Sequence, residues 1–244
     1  MSWPKVREAL DNGVRTAIFA VGSTEQHGPH LPLQTDALLG EALVAELTPR
    51  LPNTVMAPTI PLGVSTHHMA FPGTLTLDTP TFLSVVEQCV ASLAEHGFTT
   101  VLVVPSHGGN FAPLRELYER TGGTIGGARF LPYTDLLAFI RAMEAVSAEE
   151  GIAPEVSGAH AGESETSLVL ALRPDLVDMD AAVAGFDKQL DDATAKYLFE
   201  HGTAALTDVG VLGDARAADA ERGHRYLKAV VDLLYDYFEP ALRG

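Results

Sequence analysis

The feature that most constrains this chain is an alternation of short, nearly unbroken apolar runs with segments whose apolar residues recur three and four apart. TAIFAV leads into DALLGEALVAELTPRL, TVMAPTIPLG into PTFLSVVEQCVASLAEHG, and TTVLVVPSHGG into NFAPLRELYERTGG; ARFLPYTD and LLAFIRAMEAVSAEEG then follow. A strand covered on both faces has no polar side to show, so TAIFAV and TTVLVV read as buried strands. Strands separated by helices imply a mainly parallel sheet with helices on both faces, a three-layer α/β/α fold. Proline opening PTFLSVV and glycine closing it mark the ends of one helix. The acidic, alanine-rich stretch around Asp180 to Ala195 reads as a solvated helix.

Composition narrows the function classes. With 244 residues, 46% of them hydrophobic, and no linker, the chain is expected to form one domain over residues 1–244. Acidic residues outnumber basic ones 32 to 16, for a net charge of -16, which argues against nucleic acid or an anionic membrane surface as partner. Cys89 is the only cysteine, so no disulfide forms within the chain. No signal-like segment opens the sequence, and no run approaches the roughly 20 apolar residues of a membrane span; a cytoplasmic location is expected.

Polar clusters follow the first and third apolar runs. In GSTEQHGPHLPLQTD, Glu25 and His27 are two apart and leave an extended segment on the same side. Asp36 stands at the start of a helix, where capping alone would explain it. In PSHGGN, His107 adds an imidazole at a strand end, and the glycines after it permit close approach of backbone to a ligand. Adjacent parallel strands would bring both clusters to one edge of the sheet. A third cluster, GAHAGESETSLVLAL, places His160, Glu163 and Glu165 at a helix start, where the dipole favours acidic residues and explains one glutamate more easily than two. Carboxylates combined with neutral imidazoles suit zinc, manganese or iron.

GSTEQHGPHLPLQTD, THHMAFPGTLTL, SHGGN and HAGESETS, in this order, resemble the signature blocks of the creatinine amidohydrolase (creatininase) family, and the likeness extends through GVLGDARAADAERG to the C-terminal helix. The resemblance implies a creatininase-like hydrolase with two divalent ions per subunit, commonly a hexamer. It implies one ion held by Glu25, Asp36 and His107, and the other by His27, Asp36 and Glu165, with His160 as the proton-transferring group. Gly108 or Gly109 would supply an oxyanion-stabilising N–H, and THHMAFPGTLTL a substrate-side loop in which His67 lines the pocket. Asn110 would orient His107 or the substrate.

Two departures bear on substrate. Creatinine-hydrolysing members carry an acidic ligand where this chain has Gly109, for which Glu163 is the candidate substitute. They also enclose the creatinine ring with tryptophans, whereas the one tryptophan here is Trp3. The expected activity is therefore hydrolysis of a carbon-nitrogen bond in a small amide or cyclic amide other than creatinine. Trimming of a mycofactocin-type precursor peptide and deformylation are the alternatives within the family.

Overall fold

The computed structural model describes residues 1–188 and 190–243. Helix α1 (Trp3–Asp11) leads into β1 (Thr16–Val21), α2 (Thr35–Leu47), β2 (Thr54–Met56), α3 (Thr79–Glu95) and β3 (Thr100–Pro105). Then come α4 (Gly108–Thr121), β4 (Thr124–Ile125), β5 (Ala128–Pro132), α5 (Leu136–Glu149), α6 (Pro154–Ser157), α7 (Glu163–Leu172), α8 (Asp192–His201) and α9 (Ala220–Leu242). Among the described residues the strands form one five-stranded sheet in the order β2-β1-β3-β5-β4, parallel except for the short β4.

The buried runs divide the core by their alternating side-chain directions. Ile18, Ala20, Leu102 and Val104 face a layer that includes Leu43 of α2, Met143 of α5, Leu168 of α7 and Leu234 of α9. Phe19, Val21, Val101 and Val103 face the opposite way, onto Phe82 and Val86 of α3 and Leu114 and Leu117 of α4. Fully burying one such side chain contributes about 1.5–3 kcal/mol, so neither face can be made polar cheaply. This is the three-layer α/β/α arrangement that the apolar runs predict.

Two segments depart from the sequence-based expectation. TVMAPTIPLG forms a strand only over Thr54–Met56, with isolated further bridges from Ile60 to Val21 and from Gly63 to Thr76. Pro58 and Pro61 have no N–H to offer a ladder, which stops the strand. Among the described residues of Asp180 to Ala195, helix occurs only at a short turn, Met179–Ala181, and at the start of α8. Between these, Gly185 and Phe186 donate to Gly213 and Val211 at 2.9 Å each, so the chain here pairs with the 211–214 segment. A Cβ on Gly185 would lie 2.0 Å from the Val211 oxygen, and only glycine permits this approach. Among the described residues, no helix is long and apolar enough to cross a membrane.

Candidate metal centre

The loops that leave β1 and β3 converge because these strands are neighbours in parallel register, Ile18 beside Leu102 and Val21 beside Pro105. Gly22 ends β1 without a side chain, and a Cβ there would meet the Ala37 nitrogen at 2.7 Å. That contact seats the first turn of α2, which contains Asp36, against the strand end. The N-cap position of α2 is Gln34, and Asp36 caps nothing; its carboxylate turns inward at 2% exposure. The capping explanation of Asp36 is set aside.

His107 occupies the N-cap position of α4 and donates from Nε2 to the Val64 carbonyl at 3.0 Å. Nδ1 is thereby left facing the loops, 3.3 Å from Glu25 Oε1 and 3.4 Å from Asp36 Oδ2. His27 is oriented through the opposite nitrogen: Nδ1 donates to its neighbour's carbonyl, Glu25 O, at 3.2 Å. Its Nε2 stands 3.4 Å from Asp36 Oδ1 and 3.8 Å from Glu165 Oε2. Around one ion with tetrahedral ligands at about 2.1 Å, neighbouring donors stand about 3.4 Å apart. The separations found here match that spacing better than they match hydrogen bonds.

Both Glu25 oxygens, His27 Nε2 and Asp36 Oδ2 are buried without a hydrogen-bond partner. Buried polar atoms are nearly always satisfied, so four orphans facing one another make a donor set suited to a cation. Donor atoms of Glu25, His27 and Asp36 lie within 4.8 Å of one another, as do those of His27, His160 and Glu165, and of Glu25, His68 and His160.

The electrostatics agree with this geometry. Burial works against a charged His27, yet Asp36, with Glu165 and Glu25, overcomes it and lifts the imidazole to about 9. His107 is likewise raised well above its ordinary value, against burial, by Glu25 and Asp36. Asp36 is lowered in spite of burial, by His27 and His107, whereas burial raises Glu165. The carboxylates thus make the surroundings of His27 and His107 strongly favourable to positive charge.

His160 is buried beside this cluster, with Nε2 at 2.8 Å from the Gln26 carbonyl and Nδ1 at 3.7 Å from Glu25 Oε1. Burial, then the neighbouring His27, pushes it down to about 3. His67 stacks on His107 with ring centroids 5.6 Å apart and meets Phe199 of α8 edge-on at 4.8 Å. Gly109 has no room for a side chain, since a Cβ would lie 2.2 Å from the Val64 oxygen. Gly108 and Gly109 head α4, where no preceding turn accepts their N–H groups. The Asn110 side chain binds neither the His107 ring nor the cluster, although its main-chain N–H donates to the His107 carbonyl at 3.0 Å. It accepts from Val64 N at 3.0 Å and donates to Val21 O and Gly22 O, fastening the end of β1.

Glu163 is not available as a substitute ligand. Its carboxylate accepts from Ser167 Oγ, Arg222 Nε and Tyr226 OH at 2.6–2.7 Å, on the far side of α7. Trp3 is 79% exposed on α1.

Sequence reasoning gave His68 and Gln26 no firm part, yet both belong to the cluster. His68 Nε2 lies 3.2 Å from Glu25 Oε1, and the Gln26 amide reaches His68 Nδ1 at 2.8 Å and His160 Nε2 at 2.9 Å. The paired histidines of the Thr66–His68 turn keep their rings together, centroids 4.3 Å apart, with His67 stacked on His107 and His68 against Glu25. The cavity of about 190 Å³ between α5 and the 154–159 and 186–190 segments contains none of these donors, so donor geometry rather than open volume marks the site.

The family model for creatininase, creatinine amidohydrolase, matches residues 1–238. The mycofactocin precursor peptide peptidase of Mycolicibacterium smegmatis is 30% identical over 228 residues, 91% of this chain and 84% of that protein. The creatinine amidohydrolase of Pseudomonas putida is 28% identical over 253 residues, 97% of this chain and 93% of its own length. Among solved structures, a Zn-Zn type mutant creatininase superposes with a TM-score of 0.75 at 26% identity, covering 100% of this chain and 97% of its own. A manganese creatininase gives 0.75 at 25% identity, covering the same shares. The chain therefore belongs to the creatininase family, as a hydrolase of carbon-nitrogen bonds of the creatinine amidohydrolase type.

Proposed function

We propose that the cluster holds two divalent ions, one between Glu25, Asp36 and His107 and one between His27, Asp36 and Glu165, and hydrolyses the carbon-nitrogen bond of a small amide or cyclic amide. The observation that carries this reading is the set of four buried, unpartnered donor atoms on Glu25, His27 and Asp36. Bound there, divalent ions supply Lewis acidity toward the carbonyl oxygen and a water nucleophile at neutral pH. Asp36 presents Oδ1 to His27 and Oδ2 to His107, which suits it to bridge.

The protein's own groups do the rest. His160, kept neutral by burial, takes at Nδ1 the proton that the attacking water gives up as its oxygen bonds the carbonyl carbon, and delivers it to the departing nitrogen, so that the carbon-nitrogen bond breaks to an amine and a carboxylic acid. The N–H groups of Gly108 and Gly109, at the positive end of α4, steady charge on the carbonyl oxygen. His67 borders the substrate. The donors are almost wholly enclosed, from 0% exposure at Glu25 and His27 to 17% at Glu165, which favours a compact substrate.

A second reading, trimming of a short modified peptide, is favoured by the 30% identity to a precursor peptide peptidase over 91% of this chain. One experiment tests both. Protein purified without added metal is analysed for its ions, then loaded with zinc, manganese or iron and offered formamides, cyclic amides and short peptides. Hydrolysis of amides alone supports the first reading, turnover of peptides alone the second, and protein that neither holds metal nor turns over any of them contradicts both.

A further inference from the structure

Behind α7, on the side away from the donor cluster, lies a buried polar assembly that the proposed reaction does not use. Arg222 of α9 donates Nε to Glu163 Oε1 at 2.6 Å and a terminal nitrogen to the Ala217 carbonyl at 2.6 Å, and it also reaches Glu150. Tyr226, one turn on, donates its hydroxyl to Glu163 Oε2 at 2.6 Å. Ser167 Oγ donates to Glu163 at 2.7 Å and accepts from Asp219 N at 2.9 Å. At Gly223 the helices approach so closely that a Cβ would lie 2.0 Å from the Ser167 oxygen. Glu163 is fully buried and Arg222 is 6% exposed.

Glu163 and Glu165 are two positions apart on one helix, so they project about 200° apart around its axis. Turning α7 by about 10° would shift an atom about 6 Å from the axis by about 1 Å. We infer that the Glu163–Arg222–Tyr226 assembly is a positioning device: it fixes the rotation of α7 on α9 and thereby holds Glu165 at the distance from His27 that the second ion requires. This rests on the two-ion reading above. Glu165 has one further restraint, a bond from its own loop, Ala161 N to Oε2 at 2.6 Å. That bond fixes the carboxylate relative to the 160–162 turn, whereas the Arg222 assembly fixes the helix relative to α9.

The test is calorimetric titration of chelator-stripped protein with Zn²⁺ or Mn²⁺. Tyr226→Phe and Glu163→Gln are expected to weaken the site of His27 and Glu165 by about 10–100-fold, as loss of a ligand's supporting partner does, and to leave the other site within about threefold. Leu234→Ala, about two turns along α9 from Tyr226, serves as the control: it should lower Tm without changing either affinity. Should Glu163→Gln fail to fold, Tyr226→Phe decides alone. Unchanged affinities in the variants that fold, equal weakening of both sites, or the same loss in Leu234→Ala would overturn the positioning role. A wild-type protein that binds fewer than two ions overturns the two-ion reading itself, and this is read before any variant is made.

Discussion

His107 and Val64 are joined by a 3.0 Å hydrogen bond from the imidazole Nε2 to the main-chain carbonyl, and this bond commits Nδ1 to Glu25 and Asp36. Asp36, touched by both His107 and His27, should matter to more of the bound metal than His107 does. Elemental analysis is expected to show Asp36→Ala losing most of about two ions per chain and His107→Ala losing about one. Equal metal in wild type and Asp36→Ala would remove the bridge from the scheme.

His160 is given a proton to move rather than an ion to hold. His160→Asn should keep its metal while turnover falls by roughly 10²–10⁴. The loss should shrink for amides whose leaving nitrogen is already acidic, which a leaving-group series measures as a shallower rate dependence in wild type than in the variant. Loss of metal on the same substitution would make His160 a ligand, as its place near His27 and Glu165 would also allow.

Gly109 is enclosed by the same Val64 oxygen that orients His107. Gly109→Ala should cost about 1–3 kcal/mol in urea denaturation, the usual penalty of overpacking, and should lower metal content by displacing the imidazole. Wild-type stability and metal content in this variant would show that the loop yields freely.

Creatinine should be hydrolysed poorly relative to other amides under the same metal loading, since Trp3 lies exposed on α1 and Gly109 cannot be replaced by an acid without moving backbone. Steady-state assays with creatinine beside a panel of formamides and cyclic amides check this. Efficient turnover of creatinine would show that other groups enclose its ring.

Alkaline stability has a definite sign. Burial lifts the Tyr226 hydroxyl to about 12, with Glu163 adding to the effect, and burial lifts Tyr133 equally far. The unfolded chain releases these protons near pH 10, the folded one near 12. Their stabilisation is therefore complete below pH 10 and lost as pH rises toward 12, at about 1.4 kcal/mol per pH unit for each group. Tyr226→Phe should flatten the decline of stability between pH 10 and 12, measured by denaturant titration at each pH. An unchanged slope would mean that the hydroxyl titrates normally.

The layered fold was legible because TAIFAV and TTVLVV carry no polar position, which leaves a twice-covered strand as the natural reading. That Glu25, His27 and His107 would come together was legible because polar clusters follow two neighbouring apolar runs, whereas the choice of Asp36 and Glu165 rested on the family resemblance. The position of His68 was not legible: either histidine of the doublet could have reached the carboxylates, and only the folded turn sets His68 against Glu25. Glu163 was hard to place for a related reason, since residues two apart on a helix face nearly opposite ways and either could have been the inward one. The partners that decide it, Arg222 and Tyr226, lie about 60 positions away. The 182–186 segment was misread because its alanine-rich composition favours a helix, while its backbone bonds are made to residues 211–213.

The adjacency of β1 and β3 also orders events in time. The donor set draws on β1 and β3, paired across two intervening helices, and on α7, which packs against α9. During synthesis, no nascent chain shorter than residue 165 can offer the complete donor set, and the helix that seats α7 begins only at Ala220. On the proposed two-ion reading, the second site is therefore complete only in a chain synthesised through α9, at the far end of the sequence from Glu25 and His27.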